Sequence, residues 1–173
     1  MDESTFWSIV ARSRPTDSSD REEHLSRLRV ELMRLSPEDV LQFKRRLDGY
    51  VDAAYRWDLW GAAYLLNGGC SDDGFEYFRG WLIALGESAY ARVLSNPDSL
   101  AQVAPPGNSD EWEFESFLYV PYEVYEELTG GEMPPFPRGA IERPAGTEWD
   151  FEDTNEMKRH YPQLWERVKH QYR

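Results

Sequence analysis

The sequence predicts an all-α protein: a single compact multi-helix domain with a long irregular Pro-rich segment near the C-terminus. Three observations predict it. Apolar residues recur at intervals of three and four, Ser or Asp precedes and Gly or Pro follows most of these periodic stretches, and no strand-like alternation survives over more than a few residues. A chain of 173 residues is long enough for one such domain to bury roughly 70% of the surface it exposes when unfolded.

The elements follow in order. Asp2 offers a cap to the free amides of Glu3, Ser4 and Thr5, starting a short helix that turns Phe6, Ile9 and Val10 inward and ends near Arg14-Pro15. Ser18, Ser19 and Asp20 offer caps for a second helix carrying Leu25, Leu28, Leu32 and Leu35. Ser36-Pro37-Glu38-Asp39 stops it and starts a third, because Ser caps, Pro fits the first helical position and acids favour the positive end of the helix dipole. Val40, Phe43, Leu47, Tyr50, Ala54 and Trp57 keep the helical period, which runs on past a bend near 56–58 through Trp60, Ala63 and Tyr64 to Asn67-Gly68-Gly69. Ser71 caps the next helix, which ends at Gly86 and carries apolar residues on so many sides that it is placed at the centre of the fold. A shorter helix covers 88–95, and 97–104 adds a turn or two. The ring-rich segment 111–129 is expected in two pieces, because Pro121 lacks an amide and clashes with the preceding turn. Residues 132–148 read as irregular, pinned by Met133, Phe136 and Ile141, and 149–173 as a C-terminal helical extension interrupted at Tyr161-Pro162.

Composition narrows the function classes. The 32 acidic and 19 basic residues give a net charge of -13, which repels phosphate backbones and anionic lipid; neither nucleic acid nor a membrane surface is the expected partner. The same charge attracts a cationic protein. Cys70 is the one cysteine, so an intrachain disulfide is excluded and a reducing compartment is expected. With neither a signal-peptide pattern nor a bilayer-length apolar run, the chain reads as a cytoplasmic protein.

Motifs that carry chemistry are sparse. Gly68-Gly69-Cys70-Ser71-Asp72-Asp73-Gly74 sets two carboxylates and a thiol at a helix start, and Asp72, Glu76 and Arg79 fall at i, i+4 and i+7 on one face. One reading is a polar site, made by Asp72, Asp73, Glu76 and Arg79 within a pocket lined by Trp57, Trp60 and Trp81, in which the guanidinium grips an anionic group. The other is helix capping with a structural ion pair around a partly buried Arg79. Asp72 and Asp73 oppose a thiolate at Cys70, which reads as a bystander. His160 and His170 lack the spacing of a ligand pair, and the acids from Asp150 to Glu156 lack the glycine of a calcium loop, so neither metal nor cofactor is expected. Lys44-Arg45-Arg46 reads as ordinary surface charge on the outer face of the third helix, beside Asp48. No catalytic residue is assigned. The ring-rich run Trp112, Phe114, Phe117, Tyr119, Tyr122 and Tyr125, interleaved with Glu111, Glu113, Glu115, Glu123, Glu126 and Glu127, is expected to be an amphipathic pair of helix pieces with its rings inward; the alternative is a surface that holds a cationic peptide or ligand.

Phe6-Trp7, the run Gly69-Cys70-Ser71-Asp72-Asp73-Gly74-Phe75 with Phe78-Arg79 and Trp81-Leu82-Ile83, and Pro97-Asp98-Ser99-Leu100 together resemble the bacterial domain-of-unknown-function family 4240 over residues 1 to about 128. The resemblance implies no catalytic assignment. A related domain in a regulator of molybdate metabolism implies an accessory or regulatory role. On the residues themselves, the expected function is a non-catalytic interaction module for a protein partner, with the alternative of an enzyme or small-ligand binder built around the Asp72 helix.

Overall fold

A computed structural model describes residues 1–17, 19–105, 112–137 and 142–172, and it is all-α. The α-helices among them are α1 (Glu3–Ser13), α2 (Arg21–Met33), α3 (Pro37–Ala53), α4 (Trp57–Asn67), α5 (Asp72–Ala84), α6 (Glu87–Ser95), α7 (Leu100–Val103), α8 (Glu115–Thr129), α9 (Thr154–His160) and α10 (Pro162–Val168). Short 3-10 turns lie at Pro97–Ser99 and Lys169–Tyr172.

The caps fall where residue chemistry puts them. Asp2 accepts from Thr5 N at 2.7 Å, Asp20 from Glu23 N at 2.9 Å, Ser36 from Asp39 N at 3.2 Å and Ser71 from Gly74 N at 3.1 Å. Each bond satisfies an amide that the first helical turn leaves without a partner. Ser18 lies outside the described residues, as does Ile141.

α1 and α2 pack side by side, and α8 lies across α2, α3 and α5. The buried face of α5 takes in Phe75, Phe78, Arg79, Trp81, Leu82 and Ile83, which makes it central as predicted. α10 covers α4 and meets α7 and the turn at Pro97–Ser99.

Two expectations change. Pro121 does not divide α8, which runs unbroken across it. Phe117, Leu118, Val120, Pro121 and Val124 are all buried, so the proline ring is part of the apolar stripe. Packing of that stripe against three helices outweighs the lost amide bond, whose cost a helix can absorb when both halves are held from outside.

The second change concerns Lys44, which is turned inward and only 4% exposed. Its ammonium pairs with Asp48 at 2.5 Å and lies 4.7 Å from the Tyr122 ring centre. Lys44 shares the inner face of α3 with Val40, Leu47 and Val51, so the triplet is split: Lys44 inside, Arg45 and Arg46 outside.

The bend between α3 and α4 is a break stitched by a distant segment. Arg56 is extended, and Trp57 N donates to Ala145 O at 3.0 Å while Ala145 N donates to Tyr55 O at 2.9 Å. The irregular segment thus satisfies backbone groups that the helix break would leave open. Within that segment Met133 is buried, and Phe136 is half-buried with the Arg45 guanidinium 5.3 Å from its ring centre.

Candidate functional site

Ser71 and the first turn of α5 put Asp72 and Asp73 on the surface, with Glu76 half-buried one turn on and Arg79 in the interior at 7% exposure. Arg79 Nε donates to Phe75 O at 3.2 Å and Nη1 to Val51 O at 2.8 Å. Its guanidinium carbon lies 4.7 Å from the Tyr55 ring centre and 4.8 Å from that of Phe75. A guanidinium held between rings and bonded to carbonyls of two helices ties α3 to α5.

The tryptophans lie along a ladder of rings. Trp57 stacks on Trp60 at 5.4 Å, Trp60 on Phe75 at 5.0 Å, Phe75 on Phe78 at 6.3 Å, and Phe78 meets Trp81 at 5.3 Å. Trp57 and Trp81 therefore stand at opposite ends of a run that crosses the core. Trp60 Nε1 also donates to Cys70 O at 3.1 Å, tying α4 to the loop before α5. Trp81 borders a cavity of about 30 Å³ with Arg14, Pro15, His24, Ala84 and Leu85, room for about one water. The structure brings Trp60, Phe75 and Arg79 together and leaves Trp81 away from Asp72 and Asp73.

Titration behaviour agrees with a structural role here. Burial, followed by the nearby Glu113 carboxylate, pushes the Cys70 thiol up to about 12, which leaves no thiolate for nucleophilic work near neutral pH. Tyr55 is raised by burial and by the Asp72 charge. Among the described residues no group of three or more His, Cys, Asp or Glu side chains is placed to hold a metal ion.

The outer face of α8 has a different character. Phe117 points into the core, whereas Tyr119 and Tyr122 are 49% and 39% exposed with ring centres 6.3 Å apart. Glu115, Glu123, Glu126 and Glu127 stand on the same helix, which has no basic residue. Arg29 of α2 approaches Glu123 at 3.6 Å and pairs with Glu127. On the α5 side, a hydrogen bond to Glu115 leads the causes that push Tyr77 up to about 12. Tyr77 neighbours Glu115, Asp73 and Tyr119, and Tyr119 neighbours Tyr122, so tyrosines and carboxylates of α5 and α8 meet on this side.

Sequence reasoning missed one polar site. His24 is buried, with Nε2 3.2 Å from Ser13 Oγ, which itself donates to Val10 O at 2.8 Å. The rings of Phe114 and Phe117 lie 5.6 and 5.5 Å away. Its position four residues before Leu28 and eight before Leu32, on the same stripe, was the available signal.

The fold is that of an all-α protein in which these surfaces are carried by α2, α3, α5 and α8. The chain matches the family described as protein of unknown function (DUF4240) over residues 1–127, and it belongs to that family. The match spans α1 to most of α8 and ends before α9 and α10. No curated protein and no solved structure matches the chain. No helix among the described residues is long and apolar enough to cross a membrane.

Proposed function

We propose that this protein is a non-catalytic interaction module whose α8 face, extended by the first turns of α5, receives a cationic segment of a protein partner in the cytoplasm. The observation that carries the reading is a pair of adjacent exposed tyrosines, of which Tyr122 already contacts the Lys44 ammonium and Tyr119 stands outside it, on a helix with four carboxylates and no base of its own. Tyrosine faces attract Lys and Arg side chains, worth about 0.5–1 kcal/mol per exposed contact, and carboxylates beside them fix the cation's head group. The net charge of -13 adds long-range attraction that speeds encounter and fades with salt.

The test is affinity capture from the native cell at low and high salt, with mass spectrometry of retained proteins. The reading expects a basic protein held by the wild-type chain and weakened roughly tenfold, about 1.4 kcal/mol, by Tyr119→Ser with Tyr122→Ser. Glu123→Gln with Glu126→Gln should reduce its capture mainly at low salt. A basic prey retained equally by all variants, or no prey at either salt concentration, rules the reading out.

A further inference from the structure

Arg45 and Arg46, the two outward residues of the basic triplet, border a groove that the α8 reading does not use. It runs between the start of α1 and the outer face of α3, encloses about 510 Å³, and is lined by Met1, Glu3, Gln42, Arg45, Arg46, Gly49, Tyr50 and Ala53. From Gln42 to Ala53 it follows about three turns of helix, roughly 16 Å.

Two features of this groove leave capacity for a partner. The first is charge. Arg46 donates Nε and Nη2 to Met1 O at 3.2 and 3.1 Å, and Arg45 lies over the Phe136 ring; among the described residues neither guanidinium is paired with a carboxylate. By contrast, Arg12, Arg27 and Arg29 each pair with a carboxylate and Arg167 donates to several carbonyls. Glu3, the one carboxylate in the lining, accepts from Tyr50 Oη at 2.9 Å.

The second is Gly49. Glycine inside a helix costs about 1 kcal/mol relative to alanine, and such a cost is commonly repaid by a close neighbour. A Cβ built on Gly49 meets nothing within 4 Å, so no neighbour in this chain demands the glycine. It lies one turn beyond Arg45, with Ala53 one turn further, and leaves the floor of the groove smooth beside the two cations.

We propose that this groove is a second docking surface, which takes an acidic peptide segment of a protein partner: carboxylates on Arg45 and Arg46, backbone laid over Gly49 and Ala53. Local charge selects the occupant, because at contact an acidic segment complements the two arginines and a basic one is repelled by them, while the opposing long-range repulsion from the net charge of -13 is screened by salt. Openness selects a peptide over a small anion. Exposed ion pairs yield at most about 1 kcal/mol each, so affinity in an open groove has to accumulate along a length of chain, and bare helix floor allows that approach.

Gly49 makes the proposal separable from stability. Gly49→Leu fills the groove while raising helix propensity, so it should keep or raise the unfolding temperature and still abolish docking. The probe is a phage library of random 12-residue peptides, selected on the full chain. Asp- and Glu-bearing sequences should be enriched, and the selected peptides should bind Gly49→Leu and Arg45→Ala with Arg46→Ala at least tenfold more weakly. A pool without acidic enrichment overturns the proposal, as do selected acidic peptides that bind Gly49→Leu as tightly as wild type or that millimolar inorganic phosphate displaces. Enrichment of basic peptides bears on the α8 surface alone and is separated by its loss in Tyr119→Ser with Tyr122→Ser.

Discussion

His24 shows how one residue can couple the fold to pH. Burial, with Arg14 and Arg27 adding to it, lowers its pKa from 6.5 to about 4, so the folded protein holds the ring neutral where the unfolded chain protonates it. Above pH 6.5 both states carry the same ring and its contribution to stability is complete. As pH falls from 6.5 to 4 the unfolded chain gains a proton that the folded one refuses, and stability drops, by roughly 2–3 kcal/mol over the whole window. Carboxylates also titrate near the lower end, so the decisive quantity is a difference between two proteins. Urea unfolding from pH 7 to 4 should give a steeper loss for wild type than for His24→Gln, which keeps a donor toward Ser13 without a titrating ring; parallel curves would mean that His24 contributes nothing to the acid sensitivity. The sequence contained part of this site. The stripe through Leu28 and Leu32 reaches back to His24, but Ser13 and Phe117 come from other helices, and no local period identifies them. The same limit applies to Arg79: the spacing placed it inside, while its bond to Val51 O joins residues 28 positions apart.

At the scale of elements, α1, α2, α3 and α5 were legible because each has its own side-chain cap and its own stripe, whereas α4 and α6 start without a side-chain cap and were read from their apolar residues and the glycines beside them. α8 was legible as an amphipathic segment but not as one helix, since Pro121 is a breaking signal locally and a packing residue in three dimensions. Its exposed face was hidden in the sequence by a surplus of rings. Only the inward set at 117, 120, 121 and 124 reveals that Tyr119 and Tyr122 point away. α10 was legible in its break at Tyr161-Pro162 but not in what secures its start, which comes from afar: Tyr161 at its N-cap makes no side-chain cap bond, and the buried Asp98 accepts instead from Gln163 N at 3.2 Å and Leu164 N at 2.8 Å. Asp98→Ala should orphan both amides at a cost of about 1–3 kcal/mol. Hydrogen exchange should then speed up in α10 well before it does in α2 or α3. Unchanged protection of the Gln163 and Leu164 amides would show that the cap is dispensable.

For the whole molecule, the family match stops at residue 127, yet the buried cluster does not, since Met157, Tyr161, Leu164 and Val168 belong to it. The join is close. A Cβ on Gly61 of α4 would lie 2.6 Å from Tyr161 Oη and 2.7 Å from Trp149 Cζ2, and Tyr161 Oη donates to Asp58 O at 2.5 Å. Burial raises the Tyr161 pKa, which keeps that donor protonated. α4 is apolar on several sides, with Leu59, Ala62, Ala63, Leu65 and Leu66 buried, and a helix of that kind needs cover on each of them. Residues beyond the family match therefore act as its lid rather than as an independent appendage. Gly61→Val should force Tyr161 and Trp149 outward and cost about 1–3 kcal/mol, the usual penalty of overpacking. A chain ending at residue 131 should lose more, because it leaves the α10 side of α4 and the Trp57 and Trp60 rings facing water. Thermal unfolding, together with binding of a hydrophobic dye, checks both. A truncated chain that melts cooperatively at the full-length temperature and binds no dye would show that α1 to α8 are complete without the C-terminal cover.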